Sequence, residues 1–268
     1  MSESTSAAIL AVRAPRRRTV PWSEMAIMMG RTWRISRRQV EALTVSVSLP
    51  VILMLMLVYI FGGAIKPGGG YLDYVVPGVL LVCVGFGVGN TAVGVAQDLS
   101  TAVIDRFRSM DVRGASLING HVIASLGRNL VSCALVFGVA FAIGFRSSAA
   151  PLTWLAVAAV LALFIVALSW VAATIGTLAG SAEAASGMAF FIAFLAYPSS
   201  ALVPVGSMPS WLQGVAGAQP ITQVTDTIRA LLSGAPVGAS AWHAVVWSLG
   251  IIAVSVAASG LLFQRRAR

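Results

Sequence analysis

Apolar residues run in long uninterrupted stretches along this chain, and the charges between them set the positions of the predicted elements. A charged side chain at the bilayer centre costs about 2.5–3.5 kcal/mol on insertion scales, so a charge-free gap of roughly 20 residues marks a span. Between Glu41 and Lys66 lie 24 uncharged residues, and between Asp73 and Asp98 another 24. These gaps predict helices over Ala42–Gly62 and Tyr74–Gln97. The gap from Arg128 to Arg146 holds 17 residues and predicts a third helix, with Arg128 snorkelling to the near interface. Arg146 to Glu183 leaves 36, enough for a fourth helix at Leu152–Ala179. Glu183 to Asp226 leaves 42, too many for one helix and broken by Pro198, Pro204, Pro209 and Pro220. A fifth helix at Ala185–Val203 is predicted there, followed by a partly apolar loop or re-entrant hairpin. Arg229 to Arg265 leaves 35 and predicts a sixth helix at Trp242–Phe263. The pattern is that of an all-α polytopic membrane protein with six transmembrane helices over residues 42–263.

Composition supports this reading. Of 268 residues 58% are hydrophobic and 10% charged, less than half the charged share of an ordinary globular domain, which is about a quarter. That excludes a soluble enzyme, a DNA-binding domain and a disordered scaffold. The net charge of +9 follows topology. Eight arginines lie in residues 1–41, Arg106, Arg108, Arg113 and Arg128 lie around the start of the third span, and Arg265, Arg266 and Arg268 end the chain. Together these are fifteen of the eighteen basic residues. Six spans place all three clusters on one face, and basic loops mark that face as cytoplasmic, so both termini are expected there. The partner of the charge is the lipid surface, with no nucleic acid expected.

Catalytic chemistry is sparse. The histidines are His121 and His243, in no metal-ligand spacing, and neither a GxSxG elbow nor a GxxxxGK[ST] loop occurs. The chain is therefore expected to hydrolyse no ATP and to hold no cofactor. His121, near a cytoplasmic boundary, reads as a solvated or capping histidine. Asp98 and Glu183 mark span boundaries, and no carboxylate is expected mid-membrane. Cys83 and Cys133 fall inside spans and read as small apolar fillers. Gly85 with Gly89, and Gly176 with Gly180, are small residues four apart and predict close helix packing. Ser36-Arg37-Arg38 reads as the anchor at the start of the first helix rather than an export signal, since no small-residue cleavage site follows.

Two predicted cytoplasmic elements are more than connectors. In residues 21–41, Trp22, Met25, Ala26, Met29, Trp33 and Val40 fall on one helical stripe, with Arg31, Arg34 and Arg38 opposite and Arg37 on the flank. That is an amphipathic interfacial helix suited to a lipid surface, following a flexible cytoplasmic segment, residues 1–20. Residues 98–113, DLSTAVIDRFRSMDVR, alternate Val103, Ile104, Phe107 and Met110 with Asp105, Arg106, Arg108 and Asp111. Apolar knobs in a charged rim form a small docking surface.

These residues resemble the membrane subunits of ABC type-2 exporters, in particular the daunorubicin-resistance (DrrB-like) permeases. The resemblance rests on Ile104–Met110, IDRFRSM, and on Ser199–Gly234, SSALVPVGSMPSWLQGVAGAQPITQVTDTIRALLSG. Ser169-Trp170 and Glu183-Ala184 also look like family positions, whereas Asp111 and His121 stand where the family often has proline and arginine. The resemblance implies that Ile104, Asp105, Arg106, Phe107, Arg108 and Met110 form a coupling helix seated on an ABC ATPase subunit. It implies that Trp22, Met29, Arg31, Trp33, Arg34 and Arg38 belong to an interfacial connecting helix beside that subunit. It also implies re-entrant external helices over about 204–236, with Pro204, Met208, Pro209, Trp211, Gln219 and Pro220 at an external gate. Two permease chains, as homodimer or related pair, would make the core, with ATP and Mg bound by the partner ATPase subunits.

The function expected is export of an amphiphilic drug, lipid or glycolipid across a bacterial plasma membrane. The candidate seam, from the first, second and fifth spans, carries Met54, Met56, Phe86, Phe190, Phe191 and Phe194 and no intramembrane charge. Two alternatives remain open: a lipid-modifying enzyme built on Lys66, Tyr71 and Asp73, the external polar cluster, and a passive channel.

Overall fold

The computed structural model of the protein describes residues 40–62, 70–100 and 114–266. The expected connecting helix up to residue 39, the coupling residues 101–113 and the loop with Lys66 lie outside the described residues. Those described form eight α-helices and no strand. Helix α1 (Val40–Met56) ends in a π-helical turn, Leu57–Phe61. It is followed by α2 (Tyr71–Ser100), α3 (Gly114–Ala142), α4 (Pro151–Leu178) and α5 (Ala182–Phe194). A 3₁₀ turn (Val205–Ser207) leads into α6 (Ser210–Ala218), α7 (Pro220–Ser233) and α8 (Ser240–Arg266). By length and composition, α2, α3, α4 and α8 can each cross a bilayer, while α1 and α5 are shorter apolar helices.

Helix α2 is the axis of the bundle, packing against α1, α3, α4, α5 and α7. Its small residues explain the close approaches. A Cβ on Gly85 would lie 2.8 Å from Ala193 Cα of α5, and one on Gly78 only 1.7 Å from the Ala201 carbonyl oxygen. Gly176 of α4 sits equally tightly on α2, where a Cβ would come within 2.4 Å of the Ala92 carbonyl oxygen. The predicted packing glycines divide accordingly: Gly85 and Gly176 are in close contact, Gly89 makes an ordinary one with Ala189, and Gly180 meets nothing. Without a hydrophobic driving force between helices in lipid, such backbone proximity is what dispersion attraction acts on. Cys83 and Cys133 are both buried in this core.

Helix α8 packs on α4 and α7 at the edge of the bundle. Ser248, Ser255 and Ser259 face inward, while Trp242, Trp247, Leu249, Val254 and Leu261 stand exposed on the outside. The small stripe lets Thr174 of α4 donate to the Ser255 carbonyl at 3.1 Å.

Two predicted boundaries are corrected. The fifth helix spans 182–194 instead of 185–203, about 20 Å at 1.5 Å per residue. The apolar run continues beyond Phe194, but Pro198 has no N–H to give a helix. Ser199 competes for the backbone, accepting from the Ala201 N–H at 3.1 Å and donating to the Ala196 carbonyl. The third helix begins at Gly114, so Arg128 lies in its interior and not at its start. A charge gap fails to mark the helix end there because Arg128 is largely covered and donates to Thr91 Oγ1 of α2 at 3.2 Å.

Candidate functional site

The end of α2 that starts at Tyr71 is covered by a polar cap built from residues 195–203, α6 and α7. Gln219, which flanks Pro220 at the start of α7, donates its side-chain amide to the Pro198 carbonyl and so pins the α6–α7 corner on the preceding turn. Ser200 N–H donates to Thr222 Oγ1 at 3.0 Å, and Ser200 Oγ to Asp226 Oδ1 at 2.7 Å. From α2, the Tyr71 hydroxyl donates to the Leu202 carbonyl at 3.0 Å and the Tyr74 hydroxyl to the Ser200 carbonyl at 2.9 Å. Arg229 closes the set. It pairs with Asp226 at 2.5 Å, donates to the Tyr74 carbonyl at 3.2 and 3.3 Å and to the Ser200 carbonyl at 2.9 Å. Its guanidinium lies 3.8 Å from the centroid of the Tyr74 ring. Helix α7 ends at Gly234 in the left-handed region, φ +68°, where Ala235 N–H reaches back to the Ala230 carbonyl at 3.0 Å. Ser147, after α3, donates to the Leu232 carbonyl at 2.7 Å and fixes that corner.

Below the cap, one face of α2 and α5 carries an aromatic ribbon. Phe86 meets Phe190 edge-on at 6.4 Å, Phe190 meets Phe194 at 4.7 Å, and Phe194 stacks on Tyr197 at 5.3 Å. Phe190, Phe191 and Phe194 are 54, 73 and 45% exposed, and Met56 of α1 is 40% exposed. Phe86 is half-buried. Met54 is fully buried and belongs to the core of the bundle.

Toward the opposite end, polar contacts join α2, α3 and α4. Asn129, fully buried, donates to the Ser125 carbonyl at 2.9 Å, and Ser169 of α4 donates to Ser125 Oγ at 2.8 Å. The Asn129 Oδ1 has no hydrogen-bond partner among the described residues and faces Gly87, whose Cβ would lie 2.0 Å away. Further along, His121 Nε2 meets Asp98 Oδ2 at 3.0 Å. His121 is buried against Gly94, which corrects its reading as a solvated or capping residue. The pair ties together the two helix ends that flank residues 101–113. Among the described residues no group of three or more His, Cys, Asp or Glu is placed to hold a metal.

A family model described as ABC-2 type transporter matches residues 23–233. The chain belongs to the ABC-2 type transporter family. Within it the protein is a DrrB-like permease, the membrane subunit of a transporter whose ATPase is a separate subunit. It is 27% identical over 208 residues to the Daunorubicin resistance ABC transporter permease protein DrrB1 of Streptomyces coeruleorubidus, covering 77% of this chain and 71% of the relative. It is 24% identical over 225 residues to the Probable doxorubicin resistance ABC transporter permease protein DrrC of Mycobacterium tuberculosis (strain CDC 1551 / Oshkosh), covering 82% and 80%.

The permease brings some predicted site residues together and leaves others apart. Pro204, Met208, Pro209, Gln219 and Pro220 flank the short elements of the cap, where they start or stop helices. Gln213 binds the Met208 carbonyl at 2.8 Å, while Trp211 is 76% exposed on α6. Of the external cluster Lys66, Tyr71 and Asp73, only Tyr71 contacts the cap among the interactions described above. The residues that sequence reasoning passed over are Tyr74, Ser200, Asp226 and Arg229. Asp226 and Arg229, at i and i+3, were a signal of one helix face; nothing local pointed to Tyr74, 155 residues away.

Proposed function

We propose that the permease is half of the membrane core of an ABC exporter that moves an amphiphilic drug, lipid or glycolipid outward. The observation that carries this is the exposed ribbon Phe86–Phe190–Phe194, an aromatic face on a chain of a transporter family. In the assembled transporter a second permease chain faces this ribbon, and the substrate passes between the two. Aromatic faces with few polar groups bury the apolar part of an amphiphile and offer an ion no replacement for its water. The names of the relatives, which refer to daunorubicin and doxorubicin resistance, agree with a substrate of that kind.

In this reading α1 and α5 complete six spans in the bacterial plasma membrane. The basic clusters put both termini and residues 101–113 in the cytoplasm and the cap of α6 and α7 outside. ATP and Mg are bound by the partner ATPase, whose closure pushes residues 104–110 and rocks the two permease chains against each other.

Inverted membrane vesicles holding the permease and its ATPase test the reading, with daunorubicin as fluorescent probe. ATP should drive uptake, and Phe190→Ala with Phe194→Ala should cut it several-fold at unchanged amounts of complex. Probe movement that needs neither ATP nor the ATPase would mark a passive channel instead.

A further inference from the structure

The cap packs on the bundle through Ala201, Leu202, Ile221, Val224 and Ile228, and several of the polar groups that tie it to α2 meet at one side chain. Arg229 reaches three segments far apart in sequence: α2 through Tyr74, the turn 195–203 through the Ser200 carbonyl, and its own helix through Asp226. A guanidinium offers five N–H donors in one plane, so it can satisfy a carboxylate and two carbonyls while its face rests on an aromatic ring. The charged pair is reachable by water: the side chains of Arg229 and Asp226 are 20 and 40% exposed, while Ser200 is buried. The Arg229–Asp226 bond can therefore be exchanged for one to water, which makes that contact reversible.

Two further features favour a second arrangement of this region. The Thr225 hydroxyl on α7, fully buried beside Asp226, has no hydrogen-bond partner among the described residues. The closed cap thus leaves a buried polar group unmet, and a displaced α7 would expose it to water. The turn that carries Ser200 lies directly on α2 because Gly78 has no side chain. At that contact Ala201 brings no branched side chain, although lifting the turn has to withdraw Leu202 beside it from the core.

We propose that Arg229, with Tyr74 and Asp226, is the latch of the outer mouth: it holds α7 and the turn 195–203 closed over α2, and its release opens the exit at each transport cycle. The proposal rests on the exporter reading and makes Arg229 a positioning residue of that activity, acting on the gate and not on the substrate.

The test uses the full transporter in intact cells, with Thr225→Cys as reporter and a membrane-impermeant maleimide added outside. The two native cysteines are buried in the bundle, and the chain without the reporter gives the background. In the otherwise native chain labelling should be slow without ATP turnover and several-fold faster during it. Arg229→Gln should label fast in both conditions, and Arg229→Lys, which keeps the charge but loses the planar fork, should fall between. Where Arg229→Gln is not recovered in the membrane, Tyr74→Leu carries the same arm, with Tyr74→Phe retaining the stacked ring and labelling more slowly. Equal labelling of native and latch variants overturns the latch. Labelling that depends on Arg229 but not on ATP turnover overturns its part in the cycle. If labelling responds to both while the native transporter drives no daunorubicin efflux, the exporter reading fails and the latch does not.

Discussion

Single atoms decide how closely these helices approach. A methyl group on Gly78 would stand 1.7 Å from the Ala201 carbonyl oxygen, an overlap that backbone must relieve. Gly78→Ala is expected to destabilise the permease by about 1–3 kcal/mol or to push the turn off α2, as overpacking does. Gly138→Ala is the matched control: nothing lies within 4 Å of its Cβ, and stability should stay within about 1 kcal/mol of native, in the direction helix propensity favours. Melting of the detergent-purified chain, followed by residual monomer, measures both. Asn129 belongs to the same scale. With one amide oxygen unpartnered and Gly87 beneath it, it resembles a wedge that needs a glycine opposite. The glycine pairs were legible as spacing, but spacing alone could not separate Gly176, which is tightly packed, from Gly180, which is not. That difference depends on which helix lies opposite, and a period of four carries no such information.

At the scale of elements, charges predicted most spans and misplaced two ends for opposite reasons. Around Arg128 the chain spends a charge inside a helix because Thr91 of α2 meets it, so a gap counted from that arginine starts too late. Beyond Phe194 it ends a helix inside an apolar run, because Pro198 and the Ser199 hydroxyl break the backbone ladder. Rules written for isolated segments see neither partner nor competitor. The Asp98–His121 contact is the other long-range feature missed, and it yields a prediction. Removing a hydrogen bond to a charged group costs about 1.5–3 kcal/mol, so His121→Leu should lower stability by that order. Asp98→Asn, which retains an oxygen acceptor for His121 Nε2, should cost less. Both helices lead into residues 101–113, so His121→Leu should also lower ATP-driven transport by more than it lowers ATP hydrolysis, read from the two rates in one vesicle preparation.

For the whole molecule, composition and charge clustering established the class, and the motifs around residues 104–110 and 199–234 pointed to the family that the match over residues 23–233 shows. What stayed hidden was how the motif over residues 199–234 is held in place. Its prolines and Gln219 shape short helices, while the groups that hold them on α2 come from Tyr71 and Tyr74 at the far end of the sequence. Assembly is the other property of this scale. The exposed ribbon of α5 should face a second permease chain, so Phe190→Glu with Phe194→Glu should abolish co-purification of two differently tagged copies, with each copy still inserted. The central claim, that a separate ATPase docks on Arg106 and Arg108 and drives this chain, has the most direct test. It is an affinity pull-down of the permease from its native membranes in gentle detergent, with and without Arg106→Glu and Arg108→Glu. The account predicts an ABC ATPase that co-purifies with the native chain and is lost from the charge-reversed one. An ATPase retained at full yield by the reversed chain, or none recovered with the native chain, would contradict it.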